Sequence, residues 1–194
     1  MGRRLNRQSR GGRKGWEPAG TSQILAPRPP APAAMLLLRI TSTILSLLSL
    51  LLLLLALGAD YWLTSSGFHM GLWKTCTTSC TQNPITPDYF DATRAFLFLG
   101  MFAGFASSIT LVASFFRSHL GPVSLSLVSA VGSFSAGLCA MIAMAVFTGE
   151  TAAHETLSQL TLGWSFGLGW ASFPLFLLTG AMILFIPKPT SGLA

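Results

Sequence analysis

The chain has 194 residues, of which 51% are hydrophobic and only 9% are charged, and its formal net charge is +6. So little charge leaves room for long uncharged stretches, which is typical of a protein embedded in a lipid bilayer rather than one that binds nucleic acid. Phosphate-binding loops, zinc-binding helix motifs and nucleophile elbows do not occur in the sequence. We therefore expect no enzyme, cofactor, metal ion or small-molecule substrate.

Residues 1–34 form a basic segment that is rich in Arg, Gly and Pro and has almost no apolar periodicity. Such a segment cannot bury enough apolar surface to offset the entropy of ordering it, so we expect a disordered cytosolic tail. An RNA-binding fragment at 10–13 and a transit peptide are weaker alternatives, because the first is a single copy and the second lacks an amphipathic face. The segment is also consistent with an extension upstream of a start codon at Met35.

Four apolar stretches follow, and they predict membrane spans at about 38–59, 95–116, 122–148 and 163–186. The first is uncharged over 40–59, enough to cover a bilayer core of roughly 30 Å at about 1.5 Å per residue. Read from Met35, it also resembles a cleavable signal peptide, but its uncharged core exceeds the usual length of about 7–15 residues for that element. We therefore expect a four-span domain over 35–187, followed by a short cytosolic tail at 188–194.

Basic residues lie mainly before the first span, in the link after the second span and in the C-terminal tail. The connections at 60–94 and 149–162 hold most of the acidic residues and only two basic ones, Lys74 and Arg94. Under the positive-inside rule, both termini are cytosolic and these two connections are outer loops. We expect a multi-pass protein of the plasma membrane, with intracellular vesicles as the alternative.

The first outer loop carries two cysteines, Cys76 and Cys80, which this topology exposes to an oxidising compartment. A cysteine pair in such a compartment is expected to form a disulfide. Closing so short a loop contributes only roughly 2 kcal/mol through chain entropy, so the bond would serve mainly to fix local shape. A metal site that includes His69 is the alternative, but it lacks a fourth ligand.

Two tryptophans, Trp62 and Trp73, lie where this loop leaves the first span and a short distance further on. Tryptophan favours the membrane–water interface because its ring is apolar while its indole N–H needs a partner. Gly71 and Leu72 precede Trp73, the two cysteines follow it, and Arg94 stands at the start of the second span. In this combination the sequence resembles the superfamily of claudins, peripheral myelin protein, the epithelial membrane proteins and the lens fibre membrane intrinsic protein, and it looks most like the lens member.

Segments at 91–96, 147–149 and 164–170 also look like the ends of spans in the lens protein, so the resemblance covers about 36–186. It implies an all-α membrane fold, a left-handed bundle of four transmembrane helices with a small extracellular antiparallel β-sheet in the first outer loop. The Gly-Leu-Trp segment would pack on the outer helix ends, with Arg94 beneath it. The short spacings in this loop suggest a smaller sheet than that of claudins.

Small residues recur at the spacing of helix contacts, at Gly100 with Gly104 and at Gly163 with Gly167. Such spacing permits two helix backbones to approach closely, within one chain or in a dimer. With four spans to assemble, we expect packing within the chain. Hydroxyl groups along the third span are expected to form hydrogen bonds between helices rather than to line a polar path.

No charged side chain lies in the middle of a span, which argues against proton relays and coupled transport. The favoured hypothesis is a structural organiser of membranes or cell–cell contacts that acts through the disulfide-pinned outer loop. Its expected partners are the lipid bilayer and either further copies of the chain or related four-span proteins. A trafficking regulator of other membrane proteins is the first alternative, and a paracellular or membrane channel component is the second.

Overall fold

The computed structural model describes residues 32–82, 87–117, 119–120, 123–154 and 159–186, and these include four long helices. The helices are α1 (Pro32–Gly58), α2 (Asp88–Ala113), α3 (Leu125–Ala153) and α4 (Trp164–Leu184). Each of them is long and apolar enough to cross a membrane. The predicted fold class, a four-span helical membrane protein, is thereby confirmed.

α1 and α2 begin before their predicted spans and α3 ends after its own, because backbone hydrogen bonding does not stop where polar side chains begin. α4 lies within its predicted span. α1 begins at Pro32, a residue suited to a first helical position because no backbone N–H is needed there. Residues 32–34 are therefore helical and do not belong to the predicted tail. In α2, the carboxylates of Asp88 and Asp91 favour the positive end of the helix dipole. The rest of both predicted tails lies outside the described residues.

Short strands fill the connections between the helices. The strands are β1 (Leu63–Ser65), β2 (Phe68–Met70), β3 (Lys74–Cys76), β4 (Cys80–Gln82), β5 (His119–Leu120), β6 (Val123–Ser124) and β7 (Thr161–Leu162). Five of them form an antiparallel sheet in the order β4-β3-β2-β1-β7, while β5 and β6 pair in a separate hairpin between α2 and α3. The sheet predicted for the first loop is confirmed. β7 adds to it a strand from the loop before α4, which the sequence analysis did not indicate.

Glycines on α2 mark where its neighbours come close. A Cβ added at Gly100 would lie 3.3 Å from the carbonyl oxygen of Ala136 on α3, and one added at Gly104 would lie 3.0 Å from Cζ of Phe176 on α4. The other predicted pair behaves differently. A Cβ at Gly167 would meet nothing within 4 Å, and Gly163 precedes the first residue of α4 instead of lying inside the helix. Gly163 and Gly167 therefore do not form a helix contact within the chain.

Hydroxyl groups join the helices inside the bundle. The Ser107 hydroxyl on α2 donates to the carbonyl oxygen of Ser129 on α3 at 2.7 Å and lies 2.7 Å from the hydroxyl of Ser133. A second pair, Ser46 on α1 and Ser108 on α2, has its oxygens 2.9 Å apart. All five side chains are buried, and within the described ranges every buried side-chain nitrogen or oxygen has a hydrogen-bond partner. These bonds supply polar contacts between helices where the surrounding lipid offers none.

We predict that Gly104→Leu destabilises the protein by about 1–3 kcal/mol, the usual cost of overpacking a core. The added side chain would press on Phe176 and Leu50, which already lie close to the glycine. Gly167→Leu is the matched control, since it places the same side chain at a helical glycine with open space beside it. Thermal unfolding of both purified variants in detergent measures the difference. Equal unfolding temperatures would contradict the close packing at Gly104.

Candidate functional site

The five-stranded sheet and the turns that connect it form a cap on one end of the bundle, which comprises residues 60–82 and 161–162. Trp62 anchors the cap where the chain leaves α1, and its side chain is fully buried. The indole Nε1 donates to the carbonyl oxygen of Ala56 at 2.7 Å. The ring packs edge-on against Phe147 of α3, with centroids 4.7 Å apart, and against Phe166 of α4 at 6.0 Å. One side chain thus contacts three helices.

Trp73 makes the equivalent bond from the other side of the β1–β2 hairpin, because its Nε1 donates to the carbonyl oxygen of Leu57 at 2.9 Å. Ala56 and Leu57 lie in the last turn of α1, where carbonyl groups have no partner within the helix. The two motif tryptophans therefore cap the C-terminal end of α1. This role explains why each position needs an indole N–H as well as an apolar ring.

Arg94 of α2 holds the turn that carries Trp73. Its Nε donates to the carbonyl oxygen of Leu72 at 2.9 Å, and a second guanidinium nitrogen donates to the same oxygen. The guanidinium carbon lies 4.7 Å from the centroid of the Trp73 ring, a cation–π arrangement. A third nitrogen pairs with Asp91 at 2.5 Å. The structure thus places the Gly-Leu-Trp segment on the helix ends, with Arg94 against it.

Gly71 precedes this turn, at a place where the chain passes very close to itself. A Cβ added at Gly71 would lie 2.4 Å from the Cα atom of Asp60, well inside contact distance. The Gly71 amide donates to the carbonyl oxygen of Lys74 at 2.8 Å and closes the turn between β2 and β3. Glycine is needed here for close approach of two backbones rather than for an unusual backbone conformation.

The N-terminal end of α4 is bound to the same segment of chain. The amides of Gly163 and Ser165 donate to the carbonyl oxygens of Trp62 at 2.9 Å and Tyr61 at 3.3 Å, and the Ser165 hydroxyl accepts from the Tyr61 amide at 3.1 Å. A Cβ at Gly163 would lie 2.0 Å from the Tyr61 oxygen. Ser165 lies in the 164–170 segment noted for its resemblance to the lens protein, but neither Ser165 nor Tyr61 was predicted to join α1 to α4. The contact links residues 104 positions apart, for which the sequence carries no local pattern.

Cys76 and Cys80 form a disulfide, and they face each other in the register of β3 and β4 with Cα atoms 4.1 Å apart. His69 on β2 lies opposite Cys76, and its ring stacks on Tyr61 with centroids 4.4 Å apart. A ring nitrogen of His69 and both sulfurs lie within 4.8 Å of one another. Because the sulfurs are bonded to each other, the thiolates that a metal ion would need are not available in this form.

The geometry defines a class of protein, a four-helix membrane protein whose small sheet is fixed to the helix ends by indole, guanidinium and main-chain hydrogen bonds. Sequence comparison agrees with this class. Residues 34–183 match the PMP-22/EMP/MP20/Claudin family. The chain belongs to that family.

Three relatives illustrate the range of similarity. Protein NKG7 of Mus musculus is 36% identical over 135 residues, which cover 66% of this chain and 79% of that protein. Epithelial membrane protein 2 of Danio rerio is 27% identical over 165 residues, which cover 80% of this chain and 96% of that protein. Lens fiber membrane intrinsic protein of Homo sapiens is 27% identical over 125 residues, which cover 60% of this chain and 72% of that protein. The lens protein is thus a relative, as its motifs indicated, and NKG7 is more similar by identity.

We predict that Arg94→Leu lowers stability by about 1.5–3 kcal/mol, the typical worth of hydrogen bonds from a charged group. The substitution removes both donors to the Leu72 carbonyl and the cation that lies over Trp73. Arg117→Leu is the control, because Arg117 is exposed just beyond the other end of α2. Surface expression and the unfolding temperature in detergent measure the effect. Equal losses for the two variants would show that Arg94 does not hold the cap.

We also predict that Cys76→Ser is retained in the secretory pathway, because loss of the disulfide costs roughly 2 kcal/mol and releases the β3–β4 hairpin. In the unmodified protein, Cys76 and Cys80 should resist alkylation in intact cells until a reductant is added. Cys139→Ser is the matched control, since Cys139 is a free cysteine in α3. Normal delivery of Cys76→Ser to the surface would contradict a structural role for the bond.

Proposed function

We propose that this protein is a non-enzymatic organiser of membranes or cell–cell contacts, in which the cap meets the cap of another copy or of a related four-span protein. In this proposal the protein lies in the plasma membrane with both termini in the cytosol, so that the cap faces outward. Family membership and the four candidate spans support a multi-pass membrane protein. The positive-inside rule supports the orientation.

The observation that supports the proposal most is that the anchored cap presents a surface with few charged groups. Over the cap, residues 60–82 and 161–162, the sequence contains only two charged residues, Asp60 and Lys74. The turns at 65–67 and 77–79 are exposed and carry mainly hydroxyl groups. Hydroxyl groups lose less hydration energy than charged groups when another protein covers them, and the partner can compensate the loss with hydrogen bonds. The same shortage of charge gives an ion pathway little with which to select ions, so a contact surface is favoured over a channel.

The test is a mixed culture of cells that express two differently coloured copies, scored for accumulation at borders between neighbours. We expect enrichment only where both neighbours express the protein. The double variant Ser66→Lys with Thr78→Lys places like charges on both turns and should abolish the enrichment while surface expression stays normal. Phe116→Lys is the control, because Phe116 is an exposed residue at the opposite end of the bundle and should leave the enrichment intact.

Two results would contradict the proposal. A signal that is uniform over the surface, or confined to vesicles, would favour the trafficking alternative over contact between membranes. Enrichment that survives the double lysine variant would show that contact between cells does not use the turns of the cap.

A further inference from the structure

We propose that the Cys76–Cys80 disulfide is a thiol-exchange site, at which Cys80 accepts a small thiol of the glutathione class while His69 stabilises the departing thiolate of Cys76. The proposal is independent of the contact function, since it requires only that a thiol reach the cap. Its basis is the unequal environment of the two sulfur-bearing residues and the position of the histidine.

Exposure determines which sulfur can be attacked. Cys80 is an exposed residue on the edge strand β4, whereas Cys76 is only 2% exposed. A thiolate attacks a disulfide along a path that must be open to it, and access therefore selects the sulfur that becomes modified. The mixed disulfide should form on Cys80, and Cys76 should be the leaving group.

His69 is placed to assist this departure. It lies opposite Cys76 in the β2–β3 register, and one of its ring nitrogens lies within 4.8 Å of both sulfurs. The stack on Tyr61, with ring planes only 5° apart, fixes the orientation of the imidazole. An imidazole N–H donated to a thiolate favours the charged form, and a better-stabilised thiolate leaves faster.

The exchange balances without an added oxidant. The thiolate sulfur of the small thiol forms a bond to Sγ of Cys80, the Cys76–Cys80 bond breaks, and its electron pair stays on Sγ of Cys76. The reverse attack by the Cys76 thiolate on the mixed disulfide expels the small thiol and restores the original bond. Each forward step therefore removes the covalent link between β3 and β4. The hydrogen bonds of Trp62, Trp73 and Arg94 at the base of the cap are not involved.

The test uses the full chain with Cys139→Ser, reconstituted in lipid nanodiscs and incubated with reduced glutathione. Free thiols are then trapped with iodoacetamide, and the modified peptides are identified by mass spectrometry. We expect glutathione on Cys80 and the trapping label on Cys76. His69→Gln should slow the reaction by about tenfold, as expected for the loss of one hydrogen bond to a charged group. The matched control His154→Gln changes a histidine that follows α3 and should leave the rate unchanged.

Unfolding temperatures of the variants distinguish a chemical effect of His69 from a structural one. We expect His69→Gln to slow the exchange without lowering the unfolding temperature. Glutathione on Cys76, no adduct on either cysteine, or an unchanged rate in a folded His69→Gln variant would overturn the proposal. If His69→Gln fails to fold, the position of the adduct in the parent chain decides alone, because only an adduct on Cys80 agrees with the proposed direction of attack.

Discussion

The cap depends on the carbonyl groups that α1 leaves without partners at its C-terminal end. The last carbonyls of a helix accept no hydrogen bond within it, and where they are buried they need a donor from elsewhere in the protein. Here the indoles of Trp62 and Trp73 donate to Ala56 and Leu57. Because the two tryptophans flank the β1–β2 hairpin, the bonds that complete the helix also fix the base of the sheet. The same two hydrogen bonds therefore complete the end of α1 and fix the position of the cap.

α4 presents the opposite requirement, since the first amides of a helix lack acceptors. The same short stretch of chain supplies these acceptors, because the carbonyl oxygens of Tyr61 and Trp62 accept from the amides of Ser165 and Gly163. This contact brings β7 beside β1, where Leu63 pairs with Leu162. The segment at 61–62 therefore joins the C-terminal end of α1 to the N-terminal end of α4, which also explains why no side chain fits at Gly163.

The sequence predicts the parts of this fold that depend on residues close together in the chain. Long uncharged stretches identify the four helices, and the combination of tryptophans, glycine and arginine identifies the family. The sequence does not predict β7, because a strand of two residues is too short to show an alternating pattern. It is a strand only because it pairs with β1. The Gly163–Gly167 spacing misleads for a related reason. Spacing alone does not distinguish a glycine inside a helix from one that stands before its first turn, and only the approach of Tyr61 reveals the difference.

The contacts also divide the cap into two regions of different character. At its base, Trp62, Trp73 and Arg94 are held by hydrogen bonds to main-chain carbonyls and by packing against helices. The hairpin of β3 and β4 forms one edge of the sheet and adds a covalent bond to its short ladder. A change at the base alters the attachment of the whole cap, and so its effect should reach the folding of the protein. A change at an exposed position of the hairpin turn, such as Thr78, alters mainly the presented surface, so recognition by a partner can vary there while the bundle stays intact. The buried Cys76 differs from these positions, because its disulfide holds the hairpin together.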